Sequence, residues 1–161
     1  MDLQNFFLKQ KKAVDRGTME VLAQIPAAEI GWRPAEGMLS LGEIARHLWT
    51  SEEALRRVAL EGKWEAFEKR VEQGLVAYLG EVRSLPDELG EIERVHQKTL
   101  DDVEAFPLER WEELRENPKL GMRRKISVLL FGIIEHEIHH RAQVGAYLHI
   151  LTGRRASPYA V

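Results

Sequence analysis

The sequence predicts an all-α domain built as a four-helix bundle. Four long segments carry apolar residues at helical spacing, and stretches containing proline and glycine separate them. No segment alternates apolar and polar residues for long enough to indicate a sheet. Helices of about 20 residues would each be about 30 Å long, so the four can pack side by side around one core.

The first helix is predicted from about Leu3 to Ile25. Its apolar stripe includes Phe7, Val14 and Val21, which are spaced by sevens and therefore lie on one face. Pro26 ends the helix because proline cannot donate a backbone hydrogen bond. The following residues, up to 39, contain Trp, Pro and Gly and are predicted to form a loop.

The second helix has a clear start at Ser40. Together with Glu43 this residue forms the S-x-x-E pattern of a capping box. The helix is predicted to continue to about Leu60 and to end at Gly62. The polar segment from Lys63 to Gly80 follows, and it is expected to contain a short extra helix.

The third helix is predicted to begin at Ser84, with Pro86 in its first turn, and to end at Pro107. Residues 107–124 are charged and rich in turn formers, so they are interpreted as a loop. The fourth helix should run from about Ser127 to Leu151. Gly153 then terminates it in a left-handed conformation.

Composition limits the classes of function. The chain has 161 residues, enough for one domain (residues 1–161), and a net charge of -3, which argues against a nucleic acid partner. The N-terminus lacks the basic start of a signal peptide, and no apolar run approaches the ~18 residues of a membrane span. Without cysteine, any bound metal needs nitrogen or oxygen ligands, and a cytoplasmic location is expected.

Four of the six histidines fall on predicted inward faces: His47, His96, His136 and His140. Imidazoles inside an apolar bundle need partners for their ring nitrogens, and a metal ion supplies one for neutral imidazole. His136 and His140 are four residues apart and can grip one ion from a single helix face. His47, in the middle of the second helix, is the candidate third ligand. Three histidines leave a fourth position open, as in catalytic zinc sites.

The remaining histidines receive other interpretations. His139 lies towards the edge of the inward stripe, which favours a role at the rim or at an interface. His96 could line a pocket, be structural or bind a metal directly. His149 is expected to be exposed, and short basic groups that include Lys11 are interpreted as helix-end or surface residues.

Two other metal motifs compete with the three-histidine site. Residues 136–140 match H-E-x-x-H, the signature of zinc metalloproteases, with Glu137 as base. No acidic residue follows, so a third ligand is missing. A di-iron carboxylate bundle is also conceivable, because Glu93 with His96 and Glu137 with His140 are both E-x-x-H pairs. That arrangement needs a further inward glutamate from the first helix, which offers only Glu20.

Three segments resemble the DinB-like (DinB/YfiT) superfamily of metal-binding four-helix bundles: residues 32–34 (Trp-Arg-Pro), residues 40–48 (SLGEIARHL) and residues 136–143 (HEIHHRAQ). The resemblance implies one divalent metal ion, zinc or nickel, on His47, His136 and His140. It also implies that His140 rather than His139 is the ligand. The small residue before Gln143 is usually glycine in this family, whereas here it is Ala142.

The resemblance further implies a function. Members include transferases for low-molecular-weight thiols and metal-dependent hydrolases, and several form homodimers. Gln143 is expected to orient a ligand or a bound water, and Arg141 could contact a cosubstrate carboxylate at the pocket mouth, although a solvated position is also open to it. A thiol would have to come from a cosubstrate because the chain has no cysteine. The alternative is a stress-related bundle that binds a metal or small ligand without catalysis. The sequence does not identify a substrate.

Overall fold

Four long α-helices form the bundle, and the short elements lie in the connections between them. The computed structural model describes residues 2–156. The long helices are α1 (Leu3–Leu22), α2 (Leu41–Glu61), α5 (Leu85–Ala105) and α6 (Ile126–Thr152). The connections contain α3 (Glu65–Gln73), α4 (Leu75–Leu79), β1 (Leu114–Asn117) and β2 (Met122–Lys125). The predicted four-helix bundle is therefore confirmed.

Side-chain caps fix the starts of three of the four bundle helices, and those of α2 and α5 are the predicted ones. The backbone N–H of Glu43 donates to Ser40 Oγ (3.1 Å), and the Glu43 carboxylate accepts from the Ser40 N–H (2.7 Å). These two bonds are the predicted capping box, and they satisfy amides that would otherwise have no partner. At the other end of α2, Gly62 has φ 71°, the left-handed conformation that favours glycine. Ser84 caps α5 in the predicted way by accepting from the N–H of Asp87.

Neighbouring helices form two parallel and two antiparallel pairs. Both α1 and α2 pack on α5 and α6, so α1 and α2 lie on one diagonal of the bundle. The pairs α1–α6 and α2–α5 are parallel, whereas α1–α5 and α2–α6 are antiparallel. Phe7–Phe131 and Val14–Arg141 show that α1 and α6 are parallel, and Arg46–Glu88 and Arg56–Asp102 show the same for α2 and α5. Gln4 at the start of α1 contacts Val103 and Phe106 at the end of α5, so these two helices are antiparallel. It follows that α2 and α6 are antiparallel as well.

The parallel α2–α5 pair explains the long connection between those helices. After α2 ends, the chain must return along the length of the bundle before α5 can begin in the same direction. The helices α3 and α4 make this return, and both are short because Gly74 and Gly80 interrupt them. The single extra helix expected between Lys63 and Gly80 is therefore a pair of helices.

The interpretation of residues 107–124 as a loop is wrong. β1 and β2 form an antiparallel hairpin in which Leu114 pairs with Lys125 and Asn117 pairs with Met122. Asn117 accepts a bond from the N–H of Leu120, and Gly121 turns the chain at φ 62°. The strands carry no alternating apolar pattern because most of their side chains are at least partly exposed, and period two is visible only where one face is buried.

A layer of buried polar side chains divides the core into two apolar clusters. One cluster lies where α1 and α6 begin and α2 and α5 end, and it includes Phe7, Val58, Val103 and Ile133. The other lies at the opposite end and includes Leu22, Ile44, Ile92 and Leu148. All four long helices contribute to the layer between them, through Lys11, Asp15, His47, Glu52, His96, Glu137 and His140. None of the helices in residues 2–156 is long and apolar enough to cross a membrane.

Candidate metal centre

The antiparallel helices α2 and α6 bring three histidines together. His47 comes from α2, and His136 and His140 come from consecutive turns of α6. We call these residues the histidine trio. One ring nitrogen of each lies within 4.8 Å of the others, and the ring centroids are 4.5–4.8 Å apart. The structure thus places together the three histidines that the sequence selected.

The spacing of the ring nitrogens suits a shared metal ion. Nε2 of His47 lies 3.1 Å from Nε2 of His136. Two nitrogen ligands that bind zinc at about 2.0–2.1 Å with a tetrahedral angle lie about 3.3 Å apart, so the observed separation needs little adjustment. His47 and His140 are buried and His136 is partly buried, which leaves one side of the trio open to solvent.

Hydrogen bonds orient two members of the trio. Nδ1 of His140 lies 2.8 Å from Oε1 of Gln143, a carbonyl oxygen that can only accept. His140 therefore carries its proton on Nδ1, and its Nε2 lone pair is available for a metal. Gln143 is held in turn by donating Nε2–H to the Tyr147 hydroxyl (3.1 Å). On α2, Nδ1 of His47 lies 3.1 Å from Ser51 Oγ, so its Nε2 is the nitrogen that faces His136.

The trio is uncharged at neutral pH. Burial, together with the neighbouring His136 and His140, lowers the pKa of His47 to about 3. Burial and the nearby His140 also lower the pKa of His136 to about 4. The pKa of His140 is lowered, mainly by burial. Metals bind the neutral imidazole, so this environment keeps the three histidines in the form that can bind a metal ion.

Arg70 is a residue near the trio that the sequence analysis missed. It lies on α3, is half-buried, and is close enough to lower the pKa values of both His47 and His136. Its guanidinium carbon lies 4.7 Å from the centre of the Phe67 ring, a cation–π contact. Burial lowers the pKa of Arg70, and the nearby Tyr78 opposes this shift. No helical stripe could reveal it, because α3 lies outside the four long segments.

The other predicted residues have distinct positions. His139 is exposed, as expected for the rim, and its ring centroid lies 4.9 Å from that of His140. His149 is also exposed. Arg141 is neither solvated nor at the mouth of the trio. It is buried and donates to the backbone carbonyl of Val14 on α1 (3.3 Å), because its position on α6 faces the parallel neighbour α1.

Beside the trio lies a second buried group, which we call the Lys11 cluster. It contains Lys11, Asp15, Glu52, His96 and Glu137. The interpretation of Lys11 as a surface residue is wrong, because its side chain is 0% exposed. Its ammonium donates to Asp15, to Glu52 (3.0 Å) and to Glu137 (2.9 Å). These three carboxylates compensate the charge that otherwise excludes lysine from a core.

The charges of the Lys11 cluster are unevenly distributed. Burial raises the pKa of Asp15 to about 8, although Lys11 opposes the shift, and burial also raises the pKa of Glu52. The pKa of Glu137 is lowered, because Lys11 and His96 outweigh the effect of burial. Burial and the Lys11 charge lower the pKa of His96 to about 4. Glu137 with Lys11 is thus the ionised pair at neutral pH.

The arrangement argues against both competing metal motifs. In the protease motif Glu137 would face the metal, but it is buried against Lys11 instead. In the carboxylate motif both E-x-x-H pairs would meet, but Glu93 is exposed, and His96 and His140 belong to different groups. Glu20, the only glutamate of the first helix, is exposed. Asp15 is the acidic residue of α1 that reaches the core.

Comparisons with known proteins agree with this architecture. Residues 12–144 match the family model of the DinB superfamily. The structure is similar to the crystal structure of a DinB-like protein, YjoA, from Bacillus subtilis, with a TM-score of 0.74 and 21% identity over 95% of both chains. Comparison with curated proteins gives no match. Because the family model covers most of the chain, the chain belongs to the DinB superfamily.

Proposed function

We propose that the chain is a metal-dependent enzyme that holds one divalent ion, zinc or nickel, on His47, His136 and His140. The proposed reaction class is transfer of a low-molecular-weight thiol, or hydrolysis. The observation that carries the proposal is the trio itself, because three uncharged imidazoles from two helices each place one ring nitrogen within 4.8 Å of the others. The superfamily resemblance implies the same ligands and the same reaction classes.

The donor set supports catalysis rather than a closed structural site. Three neutral ligands leave a divalent ion with its full charge and with an open position, where it can lower the pKa of water to about 7 or hold a thiolate. The thiol would come from a cosubstrate, because the chain contains no cysteine. Gln143 fixes the proton of His140 on Nδ1 and so keeps the metal-facing nitrogen free.

Arg70 supports an anionic cosubstrate. A half-buried guanidinium close to the trio would disfavour a cation there unless an anion accompanied it. A carboxylate or thiolate that lay between Arg70 and the ion would satisfy both charges, and guanidinium groups bind carboxylates in a bidentate manner. Arg70, rather than the buried Arg141, is therefore the arginine that we assign to this contact.

A binding protein without catalysis is the second candidate. The observation that favours it is that two buried glutamates, Glu52 and Glu137, both accept hydrogen bonds from Lys11. Neither carboxylate is therefore free to act as a general base at the trio. The two candidates differ in turnover. A metal-loaded enzyme consumes a thiol and an electrophile, whereas a binding protein leaves both unchanged.

The first experiment is to measure the metal content per chain on protein purified without metal-affinity resin or chelator. We expect about one zinc or nickel per chain, and loss of that ion in His47→Ala, His136→Ala and His140→Ala, because each removes a direct ligand. His139→Ala is the matched control, since it deletes an exposed imidazole next to His140 and should retain the ion. A chain that takes up no metal on titration would refute the site, and with it the enzyme.

We also propose a cytoplasmic homodimer. The cysteine-free composition suits a reducing compartment. The outer surfaces of the parallel helices α1 and α6 expose apolar side chains: Leu3 (43%), Phe6 (40%), Val128 (52%) and Ile138 (41%). Burying such a surface against a second copy removes it from water.

We expect the wild-type chain to sediment as a dimer at equilibrium, and we expect Val128→Asp to dissociate that dimer. Val71→Asp, at an exposed apolar residue of α3, is the control, and a wild-type monomer at micromolar concentration would refute the dimer.

A further inference from the structure

The Lys11 cluster can be fully ionised only with positive charge beyond that of Lys11. Three carboxylates from α1, α2 and α6 meet one ammonium, and the only other titratable member is the imidazole of His96 from α5. With all three carboxylates ionised, the cluster carries two uncompensated negative charges in a buried position. One divalent cation, or two protons, would neutralise it.

Buried oxygens of this cluster are also left without partners. Among residues 2–156, Oε1 of Glu137 and Oε1 of Glu52 have no hydrogen-bond partner, although the two side chains are only 3% and 4% exposed. Thr18 approaches the Glu137 carboxylate and Thr99 approaches that of Glu52, but among residues 2–156 both hydroxyls are themselves without a partner of normal geometry. Buried unsatisfied oxygens are costly, and a bound cation is one way to satisfy them.

The unpartnered oxygen of Glu137 points at His96. It lies 3.5 Å from His96 Nε2, and Oδ1 of Asp15 lies 3.7 Å from the same nitrogen. These separations are too long for good hydrogen bonds. They are slightly longer than the roughly 3.0–3.4 Å that separates two ligands bound at about 2.1 Å to one ion with angles between 90° and 109°, so a bound ion would draw these ligands together.

A groove leads to this position from outside. It lies between α1 and α5, has a volume of about 220 Å³, and is lined by both Asp15 and His96. Glu93 and Gln97 also line the groove and are exposed on α5. The entrance is therefore on the α1–α5 side, whereas the histidine trio lies between α2 and α6 with Arg70 of α3 nearby.

We propose that the Lys11 cluster is a second divalent-cation site, with Asp15, His96 and Glu137 as ligands and Glu52 beside them. Two carboxylates and one imidazole suit Mn²⁺ or Fe²⁺ better than the all-nitrogen trio does. Lys11 stays in the cluster as a fixed positive charge. Its ammonium and a divalent ion together balance the three ionised carboxylates. The site is independent of the function proposed for the trio.

The test is a titration of the full chain with Mn²⁺ after chelator treatment and loading with one equivalent of Zn²⁺. Electron paramagnetic resonance measures the free Mn²⁺, and we expect one bound Mn²⁺ per chain. Glu137→Gln and Asp15→Asn should each weaken binding by more than about tenfold, because loss of a direct ligand exceeds the usual effect of losing a supporting hydrogen bond. Glu135→Gln, an exposed glutamate on the same helix, is the matched control and should bind normally.

Further variants separate this site from the trio. His140→Ala removes a trio ligand and should still bind one Mn²⁺, so failure of the trio and failure of the second site give different results. In the wild-type chain, spin-echo modulation from a single imidazole nitrogen is expected, and it should vanish in His96→Ala. This readout does not depend on the carboxylate variants folding.

Three results would overturn the proposal. The first is the absence of Mn²⁺ binding by the zinc-loaded wild-type chain at millimolar concentration. The second is binding that persists unchanged in both Glu137→Gln and Asp15→Asn. The third is binding that appears only in Lys11→Met, because the ammonium would then be the permanent cation of the cluster and the native chain would hold no second ion.

Discussion

The amide of Gln143 determines which nitrogen of His140 can bind a metal. Its carbonyl accepts from Nδ1–H, and its own N–H donates to Tyr147, so the imidazole is held in one tautomer. Outer hydrogen bonds of this kind usually contribute 10–100-fold to metal affinity. The geometry fits this role for Gln143, because its amide makes one contact through the carbonyl oxygen and the other through the N–H.

Replacement of Gln143 tests the orientation directly. We expect Gln143→Ala to weaken zinc binding by about 10–100-fold while the stoichiometry stays at one ion per chain. Competition with a chromophoric chelator measures the affinity. Gln97→Ala, at an exposed glutamine of α5, is the control and should match the wild type. An unchanged affinity in Gln143→Ala would mean that His140 needs no such support.

Individual residues also mark the limit of what the sequence predicts. The spacing of His136 and His140 selects two members of the trio because both lie on one face of one helix. Lys11 could not be placed in the same way. A lysine is buried only when carboxylates meet it, and here two of the three come from α2 and α6, 41 and 126 residues away. No local pattern contains that information.

At the scale of elements, prediction succeeds where the signal is local. The capping box at Ser40 and the glycine after α2 fix both ends of that helix, and both are visible within a few residues of sequence. The hairpin of β1 and β2 carries no such signal. It is stabilised by pairing and by contacts with its surroundings, such as the bond from the Asn117 side chain to Glu68 on α3 (2.7 Å).

The short helices α3 and α4 are more than a connection. They pack beside α2, the helix that carries the buried His47, and they bring Arg70 close to the trio. Their position follows from the parallel direction of α2 and α5, a property of the whole topology. The sequence left that topology open, so it could indicate an extra helix in this segment but not its contribution to the site.

At the scale of the molecule, one polar layer serves both candidate sites. It crosses the bundle between the two apolar clusters and draws on all four long helices. Buried imidazoles and carboxylates lower the stability that an apolar layer would provide. A loss of stability of this kind is common where polar groups have a function. The two apolar clusters on either side stabilise the fold around the layer.

The polar layer also makes the stability of the metal-free protein depend on pH. In the unfolded chain His47 titrates near pH 6.5, whereas burial lowers its pKa to about 3 in the folded chain. Between these values the unfolded chain binds more protons, so the free energy of unfolding decreases as the pH falls. Asp15 has the opposite effect, because its pKa is raised to about 8 and the folded chain retains its proton as the pH rises.

A comparison with His47→Gln isolates the histidine from the carboxylates, since Asp15 is present in both proteins. In chelator-containing buffer we expect the wild type to lose stability relative to His47→Gln by about 1.4 kcal/mol per pH unit between pH 6 and 4. Urea unfolding at each pH measures the difference. His149→Gln, at an exposed histidine, should give no such slope. Parallel curves for the wild type and His47→Gln would mean that His47 accepts a proton in the folded bundle, and the uncharged donor set that the metal requires would not exist at mildly acidic pH.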